Sequence, residues 1–154
     1  GASTAILVQA ALDGMKEIRV FNRKSPSFDR LVHIAGQLNE RTNCKVSVLP
    51  LEDTETLRSS IAESDILTNG TSLGMAPRTD ACPIPNSSFL RPDLIVSDVI
   101  YNPRQTKLLK MAEETGCPFF NGLYMLLYQG AAAFELWTGQ EMPVERIKEK
   151  YFSE

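Results

Sequence analysis

The sequence predicts an α/β domain built on a mostly parallel, doubly wound sheet with helices on both faces. Three observations predict it. Short β-rich segments alternate with segments of helical periodicity along the whole chain. One segment, Asp93-Leu94-Ile95-Val96-Ser97-Asp98-Val99, has a continuous apolar centre, as strands covered on both faces do. Ile66 to Thr68, which reads as a short buried strand, runs straight into the charge-free, glycine-bearing loop Asn69-Gly70-Thr71-Ser72-Leu73-Gly74-Met75. Wound sheets leave a ligand crevice at such places, beyond the carboxyl ends of their strands. The same loop also reads as an ordinary strand-to-loop turn, because Gly and Asn are common in turns.

The elements follow in order. Ser3 to Leu12 is helical, with Ile6, Leu7, Ala10 and Ala11 on one apolar face and Gly14 as its cap. Glu17 to Asn22 alternates and is a strand. Ser25 to Arg41 is helical, with Pro26 in the first turn where proline is favoured. Cys44 to Leu49 is the next strand, and Glu52 to Glu63 a helix with Leu57 and Ile61 four apart. A long loop rich in Pro, Asn and Ser runs from Gly70 to Pro92; loops of that length inside a domain tend to be functional. After the apolar strand, Thr106 to Glu114 forms a helix closed by Gly116, and Cys117 to Phe120 a short edge strand. Gly122 to Trp137 is a long, nearly charge-free helix, and Pro143 to Lys150 a final amphipathic one.

Bulk properties narrow the functional class. At 154 residues the chain is long enough for one domain with a real core. A formal charge of -3 with no basic stripe argues against nucleic-acid binding. No apolar run reaches the roughly 18 residues that span a bilayer, and no secretory signal is visible. Cys44, Cys82 and Cys117 are widely spaced and odd in number. That argues against a disulfide framework or zinc site, makes them packing residues, and fits a reducing cytoplasm. The carboxylates show no metal-ligand spacing, so no metal is expected. Translation begins with Met, whereas this chain opens Gly1-Ala2-Ser3-Thr4, so a fragment or a processed chain with its upstream part missing is expected, and with it, if Gly1-Ala2 ends a glycine motif, the first strand before that motif.

Several residues are candidates for chemistry. Gly1-Ala2 stands where a phosphate-binding glycine loop would end, or is merely a trimmed terminus. Asn22-Arg23-Lys24-Ser25 ends the first strand, where wound sheets meet the adenosine ribose of a dinucleotide. Arg23 and Lys24 suit a 2'-phosphate, Arg23 also suits stacking on adenine, and no carboxylate follows until Asp29. The alternative is a solvated basic turn. Tyr101-Asn102-Pro103 presents a phenol beside the crevice or packs a strand end. Gln129 is a strongly polar side chain within an apolar helix, which either finds partners in a site or faces solvent. His33, the single histidine, reads as a partly packed surface residue rather than a general base. No Ser, His, Asp or Cys set has triad logic.

Five motifs in this order carry a resemblance: Gly1-Ala2-Ser3-Thr4-Ala5, Phe21-Asn22-Arg23-Lys24, Asn69 to Met75, Tyr101-Asn102-Pro103, and Asn121 to Ala131. Together they resemble the C-terminal half of the shikimate dehydrogenase family, with the nearest look to its quinate/shikimate branch. The resemblance covers essentially the whole chain. It implies a Rossmann-like NAD(P)-binding C-terminal domain over residues 1–154. The family's N-terminal domain, which binds substrate and carries a catalytic Lys/Asp pair, is absent from this chain.

By the same resemblance Gly1 and Ala2 close the phosphate loop, and Asn22, Arg23, Lys24 and Ser25 meet the adenosine ribose. Ser72 lies near the cofactor, Val99, Ile100, Tyr101 and Asn102 line the nicotinamide side, and Gly122 is a further cofactor contact. Gln129, with Tyr101, reaches the substrate. The implied activity is reversible reduction of 3-dehydroshikimate or 3-dehydroquinate in aromatic amino-acid biosynthesis, catalysed by the intact enzyme and not by this chain alone. The implied partners are shikimate or quinate, the N-terminal domain and, as an open assembly, a second copy in a homodimer. The competing reading is a non-catalytic dinucleotide-sensing or partner-binding module.

Two departures bear on the transfer. NAD-using members of the branch can carry Asp after Asn-Arg-Lys, where this chain has Ser25. Strict NADP members carry a second Arg shortly afterwards, where this chain has Pro26-Ser27-Phe28. The balance leans to NAD, with NADP also accepted. Tyr124 stands where Gly is usual, and either narrows the nicotinamide pocket or packs outward.

Overall fold

Glu17–Asn22 forms β1 and Lys45–Pro50 forms β2, paired in parallel from Glu17 opposite Lys45 to Asn22 opposite Pro50. The computed structural model describes residues 1–152. Its contacts gather into two compact units, Gly1–Ser64 and a second beginning at Asp65.

In the first unit α1 (Ala2–Leu12) precedes β1, α2 (Pro26–Arg41) crosses to β2, and α3 (Thr54–Glu63) follows. The core is Leu7 and Ala11 of α1, Ala35 and Leu38 of α2, Cys44 and Val46, with Ile18, Val20, Leu31 and Ile34 packed against them. Asp13 caps α1, and Gly14 just beyond takes the left-handed conformation that ends many helices. Ser25 caps α2 with Pro26 as its first residue. Asn39 of α2 serves the backbone of β2. Its Nδ2 donates to the Val46 carbonyl at 2.9 Å, and its Oδ1 accepts from the Val46 amide at 2.8 Å. A side chain thereby satisfies strand-edge groups that would otherwise lack partners.

In the second unit β3 (Ile66–Asn69), β4 (Ile95–Asp98) and β5 (Phe119–Phe120) lie in the order β3-β4-β5, parallel throughout. Pairing is therefore parallel as the sequence predicts, but it divides into two sheets rather than one. β4 is the buried strand expected, with Val96, Ser97 and Asp98 all enclosed. The expectation of a buried Ile66–Thr68 strand fails: Ile66 and Thr68 are exposed and only Asn69 is buried. The physical reason is that β3 is an edge strand of its sheet, paired on one side only.

Helix α4 (Lys107–Thr115) packs on β4, β5 and the 3-10 turn Ser87–Phe89. Leu108, Leu109 and Ala112 are fully enclosed there. The long loop is held down by Ile84, Phe89 and Leu90. Helix α5 (Leu123–Thr138) is apolar but buries only Leu127; Tyr128, Leu136 and Trp137 are exposed. Helix α6 (Val144–Tyr151) packs against α5. Tyr124 stacks on Phe152 at 6.4 Å, with the Lys148 ammonium 5.0 Å from its ring centre. Of the two readings open for Tyr124, the ring turns to the α6 side.

Candidate functional site

At the carboxyl end of β4, the chain turns away from the sheet around a buried carboxylate. Asp98 is 2% exposed. Its Oδ1 accepts from the Ile100 amide at 3.0 Å and from Asn69 Nδ2 at 3.1 Å. Its Oδ2 accepts from the Thr106 hydroxyl at 2.8 Å. Burial pushes the Asp98 carboxyl above its ordinary range, while the Ile100 amide, Thr106 hydroxyl and Asn69 amide pull it back.

Each partner organises a further loop. Asn69 Nδ2 also donates to the Leu73 carbonyl at 3.1 Å, and its Oδ1 accepts from the amide and hydroxyl of Thr71 at 3.1 and 2.7 Å. Those bonds coil the Gly70–Leu73 loop back onto β3. Gly74 continues it with a positive φ of 100°, a conformation that side chains other than glycine's rarely adopt. Thr106 caps α4. Ser72 is exposed at the loop's tip, and its carbonyl accepts from the Met75 amide.

The strip after β4 divides by exposure. Val99 is half-buried, Ile100 is buried, and Tyr101 and Asn102 are exposed. Ile100 spends both backbone groups inside the unit: its amide bonds Asp98 and its carbonyl accepts from the Gly122 amide at 3.1 Å. Gly122 is buried where α5 begins, and a Cβ there would run into the Val99 carbonyl oxygen. A ligand along this strip would therefore meet Val99, Tyr101 and Asn102 more directly than Ile100 or the Gly122 amide. Gln129 lies on an exposed face of α5.

In the first unit, Gly1 is the N-cap of α1 and Ala2 its first residue, with no side chain capping that end. Helix N-termini of this kind favour anions such as phosphate. At the end of β1, Asn22 Nδ2 donates to the Ser27 hydroxyl at 3.0 Å, and its Oδ1 accepts from the Arg23 amide at 3.0 Å. Ser25 Oγ donates to the Arg23 carbonyl at 3.2 Å and lies 2.7 Å from Ser27 Oγ. These bonds fix the turn while the Arg23 and Lys24 side chains stay exposed. Lys24, Ser25, Pro26, Phe28 and Asp29 frame an open hollow of about 440 Å³.

The remaining candidates carry no chemistry. His33 is exposed on α2. Cys44 and Cys117 are buried, and burial pushes both thiols above their ordinary range, away from reactive thiolate. Among the described residues no group of three or more His, Cys, Asp or Glu is arranged to hold a metal. No helix among them is long and apolar enough to cross a membrane. Sequence reasoning placed Asn69 in its candidate loop and Thr106 at a helix start, but missed Asp98 and the bonds that join the three. The available signal was an acid closing an otherwise apolar strand, facing Asn at the end of its neighbour.

These features define a Rossmann-like α/β class of domain, with polar turns at the carboxyl ends of parallel strands. Comparison with known proteins sharpens this. Residues 122–150 match the family model of the shikimate 5'-dehydrogenase C-terminal domain. Shikimate dehydrogenase (NADP(+)) of Listeria innocua is 53% identical over 152 residues, covering 99% of this chain and 52% of that protein. The structure of Listeria monocytogenes shikimate 5-dehydrogenase in complex with shikimate and NAD superposes with a TM-score of 0.91 at 52% identity, over 97% of this chain and 52% of that one. Quinate dehydrogenase from Corynebacterium glutamicum in complex with NAD gives a TM-score of 0.84 at 28% identity, over 100% of this chain and 52% of that one. The chain belongs to the shikimate dehydrogenase family, and it spans about half the length of these relatives.

Proposed function

We propose that residues 1–154 form the cofactor-binding domain of an NAD(P)-dependent dehydrogenase that interconverts 3-dehydroshikimate or 3-dehydroquinate with shikimate or quinate. The observation that carries this reading is likeness along nearly the whole chain to a shikimate dehydrogenase whose structure holds shikimate and NAD. The local geometry is compatible with it. The first unit offers an uncapped helix start at Gly1-Ala2 and an exposed Arg23-Lys24 pair on a rigid turn. The second offers Ser72, Val99, Tyr101 and Asn102 around a fixed strand end.

When bound, the nicotinamide supplies the hydride chemistry. What this chain contributes is holding and aim. Gly1 and Ala2 bind the diphosphate, Asn22 to Ser25 hold the adenosine ribose, and Ser72, Val99 to Asn102 and Gly122 shape the nicotinamide side. Gln129 and Tyr101 meet the substrate hydroxyls. The Lys/Asp pair that moves the hydroxyl proton belongs to an N-terminal domain, so this chain alone is inactive. The apolar surface of α5 gives that domain something to pack on; a homodimer is a further assembly open to the intact protein. Three free thiols fit a reducing cytoplasm.

For the cofactor we favour NAD, with NADP accepted. Supporting this, Pro26-Ser27-Phe28 rather than a second Arg follows Ser25, and Asp29 stands in the first turn of α2 and lines its hollow. A carboxylate there disfavours a 2'-phosphate by like charge. The Listeria innocua relative is named for NADP(+), which is why dual use is retained. The test is shikimate- and quinate-dependent reduction of NAD+ and NADP+ by the full-length protein. Turnover of either acid supports the assignment; no turnover with both acids and both cofactors refutes it.

A further inference from the structure

We propose that Asp98 is the positioning residue of the nicotinamide end, acting through Ile100 and Asn69 rather than by touching cofactor or substrate. This rests on the functional reading above. Asp98 is the one buried carboxylate among the described residues. Two oxygens take three donors from three different segments: the strip after β4, the end of β3, and the start of α4. Asn69 relays the constraint into the Gly70–Leu73 loop through Thr71 and the Leu73 carbonyl. Ile100 relays it to Gly122 and the start of α5.

Stability alone does not account for an acid at this place. Burying a carboxylate with no cation beside it is unfavourable, and an apolar residue would close a strand end at less expense. What the carboxylate adds is direction. Its acceptor geometry admits one arrangement of the Ile100 amide, the Asn69 amide and the Thr106 hydroxyl at once. Those three groups set the loops that carry Ser72 and Val99 to Asn102. Asp98 thus converts a turn that tolerates many conformations into one surface of fixed shape.

The test compares Asp98→Ala, Asp98→Asn, Asn69→Ser and Thr106→Val in the full-length protein, measuring the NAD+ dissociation constant by calorimetry together with KM, kcat and melting temperature. Asn at 98 keeps an oxygen for Ile100 and Asn69, and its new amide donates to a Thr106 hydroxyl turned to accept. Asp98→Ala is expected to weaken NAD+ binding and raise cofactor KM tenfold or more, with kcat at saturation within about threefold. Asp98→Asn is expected to restore binding to within about threefold of the parent. Thr106→Val removes one of the three donors together with the cap on the Leu109 amide, so it should lower the melting temperature and weaken NAD+ binding less than Asp98→Ala does. Wild-type affinity in Asp98→Ala, or equal losses in Asp98→Asn and Asp98→Ala, overturns the inference. If Asp98→Ala does not fold, Asn69→Ser decides: weakened binding supports the inference and unchanged binding overturns it. Arg23→Ala run in parallel separates the two levels. A parent that binds no NAD+ or NADP+ defeats the functional reading, whereas weakening by Arg23→Ala with unchanged Asp98 and Asn69 variants defeats this inference alone.

Discussion

The backbone amide of Gly122 donates to the carbonyl of Ile100 at 3.1 Å, which docks the first turn of α5 onto the strip after β4. The approach is so close that a Cβ at 122 would strike the Val99 carbonyl oxygen. Because the obstacle is backbone, no rotamer relieves it. Gly122→Ala is expected to displace Val99 or α5 and to cost about 1–3 kcal/mol of stability, as overpacking does. The same shift should raise cofactor KM. Denaturant unfolding and initial rates measure both, and unchanged values in both would refute this docking as a constraint.

Arg23 is exposed on a turn whose backbone is held by Asn22 and Ser25. Removing its side chain leaves the turn's own bonds in place, so stability should stay within about 0.5 kcal/mol. Cofactor KM should rise about tenfold with kcat nearly constant, the signature of lost uniform binding. A fall in kcat with KM unchanged would move Arg23 away from the adenosine end.

The pH dependence of stability offers a separate handle on Asp98. Burial raises its folded carboxyl above the ordinary 3.8. A raised carboxyl binds its proton more tightly when folded, so its contribution is fully present below the unfolded value and is lost as pH rises through the folded one. Asp98→Asn removes that titration. The melting temperature of the parent relative to Asp98→Asn should therefore fall as pH rises from about 4 through the folded value. A constant difference across that range would show that burial does not dominate.

Helix α4 owes its place to Leu108 and Leu109, which are enclosed against β4 and its neighbours. Leu109→Ala should cost about 2–5 kcal/mol through lost burial and a residual cavity. Equilibrium unfolding reads it directly. A loss below about 1 kcal/mol would mean that the site collapses around the smaller side chain.

Much of this architecture was legible in the sequence. β1 spans Glu17–Asn22 as alternation predicts, β2 lies one residue beyond the predicted Cys44–Leu49, β4 occupies only Ile95–Asp98 of the predicted Asp93–Val99, and Thr106 and Gly116 bracket α4 as helix-end chemistry dictates. The burial of β3 was not legible, because an apolar run does not reveal whether both edges of a strand are paired. The division into two sheets escaped for the same reason: pairing depends on partners distant in sequence. At the site, Arg23 and Tyr101 announce themselves by residue type. The Asn69–Asp98–Thr106 lock does not, since 29 and 8 residues separate its bonded pairs and only the fold joins them.

The most direct test of the central claim is hydrogen exchange on the full-length protein with and without saturating NAD+. The account predicts slowed exchange at residues 22–25 in the first unit and at residues 99–102 and Ser72 in the second, with NADP+ giving the same pattern more weakly. Absence of protection at both segments, with either dinucleotide, would contradict it.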